Sequence, residues 1–302
     1  MIRALAAFAV VLVAVAAVQG SQAAFTGSAQ NAGASFATAS DWVAPAVTIS
    51  APASGAFTND STPTISGAAG NAGGDSSTIT VRVYSGTSAT GTPVQTKTPT
   101  RSPTSWSTTA STLADGTYTV QASQADGSGN TGTSAAVTFT VDTVAPTATA
   151  IAAANKGGAG TTAGKLDAGD TITSTFSEAI SPASILSGWS GSSAAVQVRF
   201  TNNASSDTFT VLDSSGGTTV KLGTVTTNGN YVTGNATIAS TMALSADGKS
   251  VVVTLGTPSN VSSGAVTAKN MSWSLVSGPK DLAGNALSTP ATRAETDLDV
   301  DF

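Results

Sequence analysis

The feature that most limits how this chain can fold is a set of short runs in which β-branched or aromatic residues alternate with polar ones. Ile79, Val81 and Val83 alternate with Thr80 and Arg82. Tyr118, Val120 and Ala122 alternate with Thr119 and Gln121, and Val137, Phe139 and Val141 with Thr138 and Thr140. A side-chain period of two places each set on one face of an extended strand, so these runs read as half-buried antiparallel strands. Ile172, Thr210-Val211-Leu212, Val251-Val252-Val253 and Trp273-Ser274-Leu275 lie in shorter runs of the same kind. Asp297 to Phe302 alternates acid and apolar residues. Gly, Asn, Asp and Ser cluster between the runs, and no 3.6-residue stripe follows the N-terminal apolar stretch. One helical turn is expected, with Ser181 as cap, Pro182 at its first position and Ile185 and Leu186 facing inward. The fold class is all-β.

The 302 residues include no cysteine and no histidine. That removes a disulfide framework, zinc held by His or Cys, and any nucleophile activated by histidine. Twelve basic and seventeen acidic side chains give a net charge of −5, which argues against a nucleic-acid partner. Stability must come from burial alone, and the chain is long enough to build one large or two medium cores.

Met1-Ile2-Arg3 is a short basic head, followed by an apolar run from Ala4 to Val18 and small residues at Ser21, Ala23 and Ala24. This pattern is that of a secretory signal peptide over residues 1–24, cleaved after Ala23 or Ala24. The apolar run is shorter than the roughly 20 residues of a membrane span, and no later segment reads as one.

Asp41-Trp42-Val43-Ala44-Pro45 recurs 101 residues later as Asp142-Thr143-Val144-Ala145-Pro146. Proline stiffens itself and its neighbour into an extended entry to a strand, and a spacing near 100 residues is the size of an immunoglobulin-like sandwich. Asp126-Gly127-Ser128-Gly129-Asn130 is echoed by Asp281-Leu282-Ala283-Gly284-Asn285, each reading as a hairpin turn that feeds a last strand. Together the marks divide the chain into a leader (25–41), one sandwich (42–142) and a longer one (143–302), two antiparallel β-sandwiches in tandem. The strands of 188–243 are not assignable from the pattern.

Two glutamates, Glu178 and Glu295, stand beside fifteen aspartates. A glycosidase can be built from two carboxylates, but Asp75, Asp115, Asp126, Asp213 and Asp247 fall in turns, where aspartate caps backbone amides. No Ser-x-x-Lys motif stands out, and no catalytic or cofactor-binding residue is assigned. Calcium, which needs only oxygen ligands, is the metal candidate, with Asp126, Asn130 and Asp142 meeting near the end of the first sandwich. Asp297, Asp299 and Asp301 read as a solvated strand face. Trp42, Trp106, Trp189 and Trp273 are either core residues or, if exposed, a sugar-stacking platform. Leu113-x-Asp115-Gly116-x-Tyr118 fits a tyrosine corner, in which the hydroxyl returns to nearby backbone. Aligning Asp247-Gly248 with Asp115-Gly116 puts Ser250 in the place of Tyr118, so the second sandwich lacks that bond. Sequons occur at Asn59, Asn203, Asn235, Asn260 and Asn270.

The stretch from Pro63-Thr64-Ile65-Ser66-Gly67 through Leu113 to Tyr118, Asp126 to Asn130 and Val141-Asp142 resembles a bacterial Ig-like repeat of the adhesin type. Gly169-Asp170-Thr171-Ile172, Phe176-Ser177-Glu178-Ala179-Ile180 and Asp281 to Asn285 are similar to a second bacterial Ig-like family, that of surface-layer and secreted polymer-degrading proteins. Residues 25–41 resemble the mature start of exported Gram-positive filament or spore-surface proteins. These resemblances imply a secreted or cell-surface structural or adhesive protein without catalysis, with cell-wall polysaccharide or a host or surface protein as partner. The alternative is a carbohydrate-binding accessory module using exposed tryptophans.

Overall fold

The computed structural model describes residues 42–157, 162–262, 265–267, 269–288, 292–296 and 302. The signal, the leader and the acids Asp297, Asp299 and Asp301 lie outside the described residues.

Nine strands precede Asp142: β1 Thr48–Ala51, β2 Ala56–Thr58, β3 Thr64–Ala68, β4 Thr80–Ser85, β5 Gln95–Lys97, β6 Ser105–Thr109, β7 Gly116–Ala125, β8 Thr131–Thr133 and β9 Val137–Val141. They form two sheets, β1-β3-β6 and β2-β9-β7-β4-β5, with β8 added to β7. The alternating apolar residues face each other across the gap. Ile65, Val81, Val83, Val120, Phe139 and Val141 are buried to 1% exposure or less in one core. All pairs in these sheets are antiparallel except β2 on β9. On the sheet face turned away from this core, Thr119 and Thr138 lie 3.1 Å apart as a cross-strand pair, and Thr119, itself buried, donates to Gly86 O.

The sandwich is closed by single side chains. Trp106 turns inward and its Nε1 donates to Ala68 O at 3.1 Å. Tyr118 forms the expected corner, donating to Ala114 O at 2.9 Å. At the open edge, the Gln95 amide donates to Ser111 O and accepts from Ser111 N, at 2.9 and 2.8 Å. It thereby stitches edge strand β5 to the chain leaving edge strand β6.

The second unit has β10 Ala148–Ala154, β11 Thr171–Phe176, the turn α1 Pro182–Ile185, β12 Ala194–Thr201, β13 Thr208–Asp213, β14 Thr219–Thr226, β15 Ala236–Leu244, β16 Ser250–Thr254, β17 Ser272–Ser274 and β18 Thr292–Ala294. Its strands hydrogen-bond in one continuous path, β10-β11-β16-β15-β12-β13-β14-β17-β18, folded over a separate core. The region that the pattern leaves unassigned is β12 to β15, whose alternation is interrupted by Gly-rich and Asn-rich turns. The two ends of the path meet: Arg293 on β18 donates from Nε and Nη2 to Ala148 O on β10, at 3.0 and 2.7 Å. Ile185 on α1 is 1% exposed, but Ser181 makes no side-chain cap bond. Ser184 donates to Ser181 O instead. In the place of Tyr118, Ser250 bonds Thr175, and Ser245 with Asp247 closes the turn.

The Asp126–Asn130 turn joins β7 to β8, a three-residue strand that intervenes before the last strand β9.

Tyr118→Phe removes one hydrogen bond while keeping the ring against Phe139, so denaturant melts should show a loss of about 1 kcal/mol. No loss would mean that the corner contributes nothing to the first domain.

Candidate functional site: an acidic joint between the domains

The described chain passes from the first core to the second through Asp142-Thr143-Val144-Ala145-Pro146, and both domains hold this segment. From the first domain, Asp115 accepts from Thr143 N and Oγ1, both at 2.9 Å. Within the segment, Asp142 Oδ1 accepts from Val144 N at 3.1 Å. From the second, Ser288 N donates to Pro146 O at 2.8 Å, and Ser177 N to Thr147 O at 2.8 Å. The proline is buried, and its carbonyl is met by Ser288 N, as a buried backbone oxygen requires.

Three carboxylates converge here: Asp142 at the end of β9, Glu178 just after β11, and Asp281 in the turn to Asn285. One oxygen of each lies within 4.8 Å of the others, with Asp281 buried and the other two partly so. Asp281 is oriented by its own turn. Its Oδ1 accepts from Gly284 N at 2.6 Å and Asn285 N at 2.8 Å, and its Oδ2 from Asn285 Nδ2 at 2.7 Å. Asn285 Nδ2 also donates to Asp142 O at 2.8 Å, which ties the turn of one domain to the last residue of the other.

Such crowding has an electrostatic consequence. Burial pushes the Glu178 carboxyl up to about 7, the charges of Asp142 and Asp281 and a hydrogen bond to Asp142 add to that, and Lys249 opposes it. Near neutrality Glu178 therefore keeps a proton for part of the time and, when protonated, donates a hydrogen bond to Asp142. The same three carboxylates are hard oxygen donors of the kind calcium takes, with the remainder of its six to eight oxygens still to be supplied.

Of the residues expected to meet, the structure brings Asp142 to this cluster and leaves Asp126 and Asn130 elsewhere. Asp142 follows Val141, which pairs with Gly116 at the start of β7, whereas Asp126 follows the last residue of that ten-residue strand. The separation is about 30 Å at the rise of an extended chain. Asp126 is occupied by its own turn: Asn130 side chain and backbone and Ser128 N bond it, which holds its carboxyl below the usual value. The other turn acids behave alike. Asp213 is held at about 2, first by Ser215, Asp247 is lowered by Ser245 and Lys249 N, and Asp75 caps Ala72 N. Glu295 accepts from Met271 N. Glu178 and Asp281 were the partners that the spacing did not reveal. The signal was the repeat itself, because the turn that meets Asp142 belongs to the following domain.

Three tryptophans, Trp106, Trp189 and Trp273, are exposed by 7% or less, while Trp42 is 82% exposed.

Residues 48–143 match the family model described as a bacterial Ig-like domain. That match spans the first sandwich, about a third of the chain, and the described residues around it are nearly all β. Comparison with curated proteins gave no match. Among solved structures, the fibronectin(III)-like modules of Clostridium thermocellum CbhA share 14% identity over 70% of this chain and 90% of theirs, with a TM-score of 0.27. Dimeric latent PorU from Porphyromonas gingivalis shares 14% identity over 72% of this chain, with a TM-score of 0.25, and the match spans only 20% of PorU.

The raised Glu178 value fixes the sign of a pH effect. A carboxyl that titrates near 7 when folded and at 4.5 when unfolded binds an extra proton in the folded state between those values. Its contribution is complete below 4.5 and is lost as pH rises through about 7. With chelator present, melting temperature should fall over that window. Glu178→Gln, which keeps a donor toward Asp142, should flatten the profile and exceed the parent at the alkaline end. Superimposable profiles would remove the proton from the joint.

Proposed function

We propose that this chain is an exported, surface-associated structural protein whose two Ig-like domains act as a stiffened spacer without catalysis. The observation that carries the reading is the joint: the segment between the cores is only Asp142 to Pro146, and side chains from both domains hold it. Chains that only need tethering use flexible linkers. A linker clamped at Thr143, Pro146 and Thr147 instead suits a protein that keeps its domains in register to present an outer surface. Bacterial Ig-like domains, the family that residues 48–143 match, commonly build extracellular proteins. The N-terminal basic head and apolar run support export.

The non-catalytic reading is supported by where the acids lie. Two surface hollows on the second domain, of about 390 and 380 Å³, contain no acid in one case and only the turn-bound Asp213 in the other. Expression of the full chain in a bacterial host tests export. Recovery from the medium or cell surface with the first 23 or 24 residues removed is expected, and retention of the uncleaved chain inside would overturn the proposal.

A second reading, carbohydrate binding, is favoured by one observation, the exposure of Trp42. Retention on cell-wall polysaccharide should be equal for the parent and Trp42→Ala. Retention that vanishes in the variant would put the sugar module first. Calcium also remains a proposal, now on Asp142 with Glu178 and Asp281. The expected result is a melting temperature raised by calcium in the parent and unmoved in Asp281→Asn, and identical parent curves with calcium and with chelator would dismiss the ion.

A further inference from the structure

Only one asparagine in the chain is followed directly by glycine, at Asn228-Gly229. Such a pair carries its own reaction. With no side chain on the glycine to hinder it, the glycine nitrogen attacks the carboxamide carbon of the asparagine. A C–N bond forms, the bond to the amide nitrogen breaks, and ammonia leaves with the proton that the attacking nitrogen gives up. Water then opens the five-membered imide at one of its two carbonyls, leaving aspartate or isoaspartate. Asn228 is exposed, so water reaches it. The glycines after Asp126 and Asp247 give their amides to backbone carbonyls, Gly74 O and Ser245 O, both at 2.9 Å. Among the described residues, Gly229 N meets only the Thr227 hydroxyl, at 3.4 Å.

The side chain that would react also holds the sheet together. Asn228 has a φ of 54°, a left-handed backbone that asparagine tolerates better than most residues. From there its Nδ2 donates to Asn270 O at 2.6 Å. The β14–β17 ladder ends with Thr226 opposite Ser272, so this bond takes the next rung out, 228 against 270. The edge of the sheet hangs from that place. Among the described residues β18 ladders only with β17, and Glu295 N donates to Met271 O at 2.9 Å. Behind Asn228 the loop is firmly backed. Gly229 O accepts from Asp207 N at 2.8 Å and from Thr227 Oγ1 at 2.9 Å. A Cβ on Gly229 would stand 2.6 Å from Val266 Cγ1, so the glycine has no room to shift.

We infer that Asn228 is a site of spontaneous deamidation, and that its conversion unfastens the β17–β18 edge of the second domain. The intact fold slows the reaction, because the carboxamide must leave Asn270 O before its carbon meets Gly229 N. Conversion therefore proceeds from loops that have opened locally. Aspartate at this position sets carboxylate oxygens against the Asn270 carbonyl, acceptor facing acceptor. Isoaspartate does more damage, since it adds a backbone carbon to a loop whose glycine is fixed on both sides. The inference is independent of what the protein does at a surface.

The test is to hold the folded full chain at mildly alkaline pH and follow every asparagine by peptide mapping. An isoaspartyl methyltransferase serves as the probe for the rearranged product. Conversion should appear at Asn228 before any other asparagine, and sooner still when the chain is unfolded in urea. In Asn228→Asp the bonded amides of Met271 and Glu295 should exchange about fivefold faster than in the parent, the effect of one lost hydrogen bond. The bonded amides of Ala110 and Leu113 in the first domain should be unchanged. If Asn228→Asp does not fold, the same amides are read in the aged parent. Conversion that begins at another asparagine would overturn the site. Exchange at Met271 and Glu295 equal to that of the fresh parent would overturn the unfastening.

Discussion

A chain with no cysteine must close its sheets by hydrogen bonds and packing alone, and the rest of the structure follows from how it does so. Every strand edge exposes unpaired amides and carbonyls that water must satisfy or another strand will seek. Here the edges are met by side chains of fixed geometry. Gln95 is the clearest case, since its amide offers one donor and one acceptor to Ser111 as a neighbouring strand would. Arg293 does the equivalent in the second domain, where two nitrogens converge on a single carbonyl of the opposite edge strand. A planar guanidinium suits that task because its donors are held in a fixed fork.

The same economy governs the buried acids. Asp207 is fully buried, yet three backbone amides, of Asn203, Tyr231 and Val232, point at its two oxygens. Satisfied in that way, a carboxylate fixes the loops that carry those amides. The joint is different, because three carboxylates share one place and only Asp281 has a comparable set of amide donors. Glu178 therefore takes up the imbalance as a proton, and the strength of the joint becomes tied to the medium, whereas the two cores are not.

The alternation of valine and threonine showed the strands of the first domain almost residue by residue, because Ile79, Val81 and Val83 are all wholly buried. The second domain was legible only in pieces. Its extra strands lie between Trp189 and Leu244, where Asn202, Asn203, Gly216, Gly217, Asn228 and Gly229 break the period at irregular intervals. Its closing partner, Arg293, carries no pattern that sequence can read. The tyrosine corner was visible because Leu113, Asp115, Gly116 and Tyr118 are local to one turn. The acidic joint was not, since it unites positions 142, 178 and 281, and proximity along the chain pointed instead to Asp126.

The turn itself has a physical logic. A D-x-x-G-N turn completes its aspartate internally, with backbone and side-chain donors from the asparagine, so the aspartate has little left to offer a partner in its own domain. What the turn exports is the second hydrogen of the asparagine amide, directed outward from the domain end. At Asn285 that hydrogen meets a carbonyl of the preceding domain, and the turn thereby acts as a connector, with its acid as the rigid base. The first domain carries the same turn with the same internal bonds, although the turns lie 155 residues apart and the Val-Ala-Pro entries 101. At Asp281–Asn285, the turn is the means by which the second β-sandwich holds the end of the one before it.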